Sequence, residues 1–304
     1  MLYIESTKKK LNKDRLFGYL LLSPTLLLII CLILVPLLVN VYMSLTDQNF
    51  FSIKYNFVGI YNYLKIVTDI DFLTSLLRSF YWVFGNMVLQ VILSFFFALI
   101  LNRIRRGRNF MTILVMLPWF TPTIIITVMW KWMLNSSFGV INYLLLTLNV
   151  TKVPINFLGD PSTAFYTLIL INSWQWFPFF CVLILAALQM IPLELEEAAR
   201  VDGANNVKQF FYIKMPFVQP TLSTVGLIAM LMGFNIFDSI WFLTKGGPGR
   251  ASTTVPVYIY ETGFKAFELG VASAQSTIVM LILMSLVAIY LRAFRPFREE
   301  SVMT

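Results

Sequence analysis

Few side chains in this sequence are equipped for covalent chemistry. The chain contains no histidine, which removes imidazole catalysis, Ser-His-Asp hydrolysis and the commonest metal ligand together. Asp69-Ile70-Asp71 has the spacing of an Asp-x-Asp metal site for a nucleotide-sugar. It lies in a connection of about 34 residues between apolar runs, too short to hold a nucleotide domain. The cluster Gly246-Gly247-Pro248-Gly249 lacks the following Lys-Ser/Thr of a phosphate-cradling loop and reads as a turn. Cys31 and Cys181 sit in apolar runs with no zinc or redox spacing, so both read as buried small hydrophobes. The expectation is a chain with no catalytic residue, no metal site and no cofactor of its own.

Recognition chemistry is better represented. Asn172, Gln175, Trp176 and Phe179 recur at i, i+3, i+4, i+7, one face of a helix. Asn235, Asp238, Ser239 and Phe242 repeat that spacing in a later apolar stretch. Polar groups inside apolar spans are costly and face a bundle interior or a cavity. Aromatic rings beside amide and carboxylate acceptors suit a sugar, with flat faces for C–H surfaces and partners for hydroxyls. The same residues would equally serve as hydrogen-bonding glue between helices.

The elements that must position them are apolar throughout. Of 304 residues, 58% are hydrophobic and 12% charged, with a mean hydropathy of +0.77. A soluble domain is about a quarter charged, so a soluble enzyme is excluded for want of polar surface. A membrane helix needs about 20 apolar residues. Six stretches qualify, at roughly 17–45, 80–101, 110–134, 164–190, 221–243 and 271–291, which predicts an all-α membrane protein. The first is too long for a signal peptide, has no small-residue cleavage site and carries Pro24 and Pro36 inside it. Pro118, Pro122 and Pro178 fall inside spans three and four, as hinges of a moving cavity or as static kinks.

An even number of spans puts both termini on one side, and basic residues choose which. Lys8, Lys9, Lys10, Lys13, Arg15, Arg103, Arg105, Arg106, Arg108, Arg200, Lys208, Lys214, Arg292, Arg295 and Arg298 make 15 on one side, against 8 elsewhere. That bias predicts cytoplasmic termini and a cytoplasmic connection between spans four and five. The net charge of +8 is thereby topological, with no call for nucleic acid. Tails are expected at 1–16 and 293–304 around one membrane domain, 17–292. At 1.5 Å per residue, Gln175 lies roughly 24 Å from Ile191 and Asn235 roughly 22 Å from Pro220, so the two polar faces match in depth.

The connection at 191–219 is more than a loop. Pro192 suits a first helical turn, Glu194, Glu196 and Glu197 sit near that helix's positive end, and Gly203 fits a left-handed stop. Asn205 or Asn206 can cap a second short helix carrying Phe210, Phe211 and Tyr212 outward, with Met215-Pro216 ending it. An acidic face of this kind argues against a helix resting on anionic lipid.

These residues are familiar as a set. Glu197-Ala198-Ala199, then Gly203, then Ile213-x-Met215-Pro216 resembles the EAA loop of permease subunits of binding-protein-dependent ABC importers, with Met215 where that family has Leu. Glu-Ala-Ala-Arg-Val-Asp-Gly-Ala at 197–204, Leu243-Thr-Lys-Gly-Gly-Pro-Gly249 and Phe57-Val-Gly-Ile-Tyr-Asn-Tyr63 look like the carbohydrate-uptake branch. The resemblance implies the type-I importer permease fold with a cytoplasmic coupling helix. Glu197, Ala198, Ala199, Asp202, Gly203, Phe210 and Pro216 would then form the loop that enters a groove on an ATPase subunit. It further implies that Asn235, Asp238 and Trp241, just before the Leu-Thr-x-Gly-Gly-Pro motif, line a substrate path, to which the polar face read from spacing would add Asn172, Gln175 and Trp176. ATP and Mg would belong to two partner ATPase subunits, beside a second permease subunit and an extracellular solute-binding protein. Alternating access would move a sugar or oligosaccharide across a bacterial or archaeal cytoplasmic membrane. The alternatives are another solute, such as a glycerol-phosphate, or a stand-alone secondary transporter.

Overall fold

A computed structural model describes residues 18–51, 54–104 and 106–293. The expected tails, with Lys8, Lys9, Lys10, Lys13, Arg15, Arg295 and Arg298, and the loop residue Arg105 lie outside the described residues. In chain order the helices are α1 (Gly18–Ser44), α2 (Tyr61–Val67), α3 (Ile70–Arg103), α4 (Arg108–Phe120), α5 (Thr123–Met133), α6 (Val140–Thr147), α7 (Pro161–Gln189) and α8 (Leu193–Val201). There follow α9 (Asn206–Asn235), α10 (Asp238–Thr244), α11 (Val255–Tyr260) and α12 (Leu269–Ala293). Among the described residues the only β pairing is the isolated bridge Thr46–Phe57.

Five helices, α1, α3, α7, α9 and α12, are long and apolar enough to cross a membrane. The third expected span is not straight: α4 and α5 meet at 88°, and counting the pair as one span gives six. Pro122 is the reason. It forces Thr121 into an extended conformation (φ −79, ψ 128) and cannot continue the backbone ladder. Pro118 and Pro178 lie inside α4 and α7 without breaking them. Two other prolines are absorbed differently. Pro36 and Pro216 each follow a π turn, Ile30–Leu34 and Phe210–Lys214, whose closing N–H bonds five residues back. The wider turn gives the ring room where a tight α turn would clash. Pro216 therefore does not end the second short helix expected in the 191–219 connection, which runs straight into the fifth span as α9.

The chain divides into two compact units: residues up to Thr68 with Glu261–Met280, and Asp69–Tyr260 with the stretch from Leu281 onward. In the first, Asn40 donates to the Ser273 carbonyl and to Thr277 Oγ1. Gly270 N–H bonds the Gln48 carbonyl at 2.9 Å, so α1 ends where α12 begins and the two run antiparallel. The Phe57–Tyr63 motif closes this junction. Asn62, buried, donates to the Ser44 and Thr46 carbonyls at 2.9 and 2.8 Å, and Tyr63 shares a hydrogen bond with Ser44.

The second unit is built on α3 against α7. The buried face of α3 is rich in small and polar residues, Ser75, Ser79, Asn86, Gln90, Ser94 and Ala98, set among the apolar Phe72, Trp82, Val83 and Leu101. Its exposed face carries Leu77, Phe84, Ile92 and Phe96. That inverted pattern is the signature of a helix solvated by lipid, where small residues permit close approach and polar ones bond across. Ser94 donates to the Phe177 carbonyl at 2.7 Å and Ser173 to Asn86 Oδ1 at 3.1 Å. Cys181 is buried as expected, but Cys31 is exposed. None of α1's most apolar window is buried, so Cys31 has no neighbour to cover it.

Candidate functional site

Residues expected on one continuous helix are parted by a break. α9 ends at Asn235 because Ile236 turns extended (ψ 113), and Asp238 opens the separate helix α10. The face Asn235-Asp238-Ser239-Phe242 is thus two helix ends meeting at a corner. Into that corner opens a cavity of about 390 Å³ lined by Thr123, Trp176, Asn235, Phe237, Asp238 and Ser239, with Leu231, Met232 and Ile236. Of the expected path residues, Trp176, Asn235 and Asp238 reach its wall. Asn172 and Gln175 do not, being buried one layer behind. There Asn172 donates to Ser239 Oγ at 3.4 Å and Gln175 to Thr123 Oγ1 at 3.1 Å. They hold two of the cavity's hydroxyls in place. Trp241 is also outside the wall, with its ring stacked on Phe237 at 5.4 Å and against Tyr260 at 4.7 Å.

Thr123 and Phe237 were invisible as site residues in the sequence. Thr123 earns its position from the Pro122 break, and Phe237 from the break after Asn235. A proline inside an apolar run was the one available signal, and it pointed only at the first. The wall is amphipathic, with two aromatic faces, an amide, two hydroxyls and one carboxylate. Among the described residues no hydrogen bond or ion pair engages the exposed Asp238 carboxylate.

At the other end of α9 lies the EAA-type segment, 191–219. Pro192 stands just before α8 as its N-cap, and Glu194 and Glu196 occupy the first turn. Gly203 adopts φ +76, and the Ala204 N–H reaches back to the Ala199 carbonyl at 2.8 Å, the left-handed stop that glycine permits. Asn205 caps the next turn by accepting the Lys208 N–H. Glu197, Ala198 and Asp202 are exposed and Ala199 is half-buried. Val201 is 88% exposed and Tyr212 80%, so an apolar edge stands clear of the bundle. Phe210 departs from expectation: it turns inward against Phe95 at 5.5 Å, while Phe211 stays exposed. Glu196 pairs with Lys214 at 3.2 Å and Arg200 at 4.0 Å, tying α8 to the root of α9.

Asp69 and Asp71 hold no metal geometry. Asp69 caps α3, accepting the Asp71 and Phe72 N–H groups and the Tyr258 hydroxyl, and Asp71 pairs with Arg250. Burial, reinforced by the Asp69 carboxylate, pushes the Tyr258 phenol up to about 12. The Gly246–Gly249 cluster is a turn closed by the Ser252 N–H on the Gly246 carbonyl.

Residues 90–298 match the family described as binding-protein-dependent transport system inner membrane component. The chain belongs to that family. As a permease of binding-protein-dependent ABC importers it is a multi-pass membrane protein. It is 33% identical over 294 residues to the trehalose/maltose transport system permease protein MalF of Thermococcus litoralis, covering 97% of this chain and 98% of that one. It is 33% identical to the inner membrane ABC transporter permease protein YcjO of Escherichia coli, with 91% and 93% covered. A bacterial alginate ABC transporter, solved with an alginate pentasaccharide-bound periplasmic protein, superposes with a TM-score of 0.82. At 21% identity over 95% of this chain and 96% of that one, the permease shares its fold.

Proposed function

We propose that this permease conducts an uncharged sugar or oligosaccharide into the cell and is driven by separate ATPase subunits through the EAA-type loop. The observation that carries the reading is that α9 is one helix with the loop at its first residue and the cavity at its last. Its 30 residues span about 45 Å. A displacement of α8 would reach Asn235 along a rigid rod, to which the Glu196–Lys214 pair joins it. Alternating access follows if that displacement opens the cavity to one side and then the other. The antiparallel α1 and α12 support a common side for both termini, which the basic residues assign to the cytoplasm.

The solute class follows from the cavity wall. Asp238 is its only charged residue among those described, and no lysine or arginine lines it. A lone carboxylate in a low-dielectric site repels anions, which disfavours a glycerol-phosphate. Two relatives, named as a trehalose/maltose and a starch-degradation-product permease, support a neutral sugar. The implied partners are two ATP-binding subunits with Mg, a second permease subunit and a solute-binding protein.

The test is to purify the complex and screen sugars, with binding protein present, for stimulation of ATP hydrolysis. Gly203→Trp is expected to insert normally yet abolish stimulated uptake in proteoliposomes, because a bulky residue fits neither the left-handed turn nor a docking groove. Normal uptake by that variant removes the coupling role. Uptake collapsed by ionophores, with no ATPase co-purifying, would identify a secondary transporter instead.

A further inference from the structure

The end of α3, the start of α4, α8 and the root of α9 enclose a groove of about 950 Å³. Its charged lining is Arg103, Arg108, Arg200, Lys214, Glu196 and Glu197. The charges are not evenly matched. Glu196 is engaged by Lys214 and Arg200, whereas among the described residues Arg103 and Arg108 pair with no carboxylate and Glu197 with no cation, so the unpaired charges leave the groove net positive. Arg108 adds a second imbalance. It is the first residue of α4, a 13-residue helix that Gly107 leaves without a capping side chain and that has no acid in its first turn. A cation at that end opposes the helix dipole, and an anion placed beside it would reverse the sign of both terms. Leu99, Leu188, Phe210 and Phe211 line the same groove, among a mostly polar lining.

We propose that this groove binds a phosphate group between Arg103 and Arg108, supplied by the headgroup of an anionic phospholipid. A free phosphate would satisfy the two guanidinium groups equally well. The leucine and phenylalanine side chains beside the two arginines, which an acyl chain can cover, favour the lipid, as in basic pockets between cytoplasmic helix ends. The headgroup would lie on the α3–α4 side of the groove, where Arg103 and Arg108 stand, and not on the acidic face of α8. The placement in the cytoplasmic leaflet rests on the permease orientation proposed above, but phosphate binding does not.

The experiment uses the full complex in phosphatidylcholine nanodiscs with and without phosphatidylglycerol, with retained lipid read by native mass spectrometry. Wild type is expected to retain phosphatidylglycerol. Arg103→Gln/Arg108→Gln should bind it about 30-fold more weakly, from about five-fold per basic residue, while Arg106→Gln, outside the groove, leaves it unchanged. Equal retention by wild type and the double variant overturns the proposal. Displacement by inorganic phosphate at equal concentration overturns the lipid as source. Loss of ATPase subunits from the double variant, with no phosphatidylglycerol held by wild type, assigns the arginines to a protein interface and also overturns it. If the double variant fails to insert, a photo-crosslinker at Gln189, on the groove wall, replaces it. Preferential labelling of phosphatidylglycerol supports the site, and equal labelling of both lipids overturns it. Sugar uptake from phosphatidylcholine vesicles is scored separately, so failure of the lipid site and failure of the transport reading are distinguishable.

Discussion

Asp238 stands on the cavity wall as an exposed carboxylate at the first turn of α10. Asp238→Asn keeps the shape and removes the charge. Hydrogen bonds to a charged acceptor are worth about 1.5–3 kcal/mol, so sugar-stimulated ATP hydrolysis in that variant should need at least about tenfold more solute. Titration of stimulation against loaded binding protein measures this. Tyr258 makes a pH prediction on the α3 cap. Its phenol is raised to about 12 from an ordinary 10, by burial first and then by Asp69. A raised folded-state value favours the neutral phenol, so its contribution is complete below pH 10 and lost as pH climbs toward 12. Thermal unfolding between pH 10 and 12 should fall more steeply for wild type than for Tyr258→Phe. Parallel curves would show that the hydroxyl contributes nothing.

At the level of elements, α8 and α9 matter through their joint. Glu196→Lys breaks the bond to Lys214, and its side chains are 16% and 19% exposed. Folding should lose more than the roughly 1 kcal/mol of an exposed pair, because both side chains are mostly buried and the new cation faces Lys214 and Arg200. Coupling should suffer more, with basal ATP hydrolysis kept and stimulation by loaded binding protein reduced. The exchange Glu196→Lys/Lys214→Glu should restore stimulation, since it rebuilds the joint with reversed polarity. A swap that leaves stimulation at the single-variant level would mean that α8 moves α9 by packing alone. The helix breaks show how far local signals reach. Pro122 and Pro216 are the same residue type in apolar runs, yet one bends the chain by 88° and the other passes through a π turn without interruption. Local sequence marks the lost donor, and the neighbouring turn decides what becomes of it.

Across the whole molecule, α1 and α12 meet at Gly270, where an added Cβ would lie 2.1 Å from the Thr46 carbonyl oxygen. Gly270→Ala should destabilise the junction by about 1–3 kcal/mol, as overpacking does, and backbone cannot rotate aside to relieve it. A lower unfolding temperature in detergent, with unchanged secondary structure before the transition, is the expected result. The exposed, apolar α1 and the inverted face of α3 belong to this scale too. Both are stable only where lipid or another protein replaces water, which fits a subunit of a larger membrane assembly.

Most of the apolar spans, and the helical 191–219 connection with its Gly203 stop, were legible in the sequence. They depend on periodicity, on charge and on a φ that glycine alone adopts readily, which are local properties. The helix break after Asn235 was not, because nothing in Phe-Asn-Ile-Phe-Asp forbids a helix locally. Only packing shows Asn172 and Gln175 to be the frame of the cavity and Thr123 and Phe237 to be its wall. Which side of a helix meets a neighbour depends on what the rest of the chain places there. The lack of histidine was a matter of residue types and could be read at once. The cavity is a matter of where three helix ends converge, and that was decided by the tertiary structure.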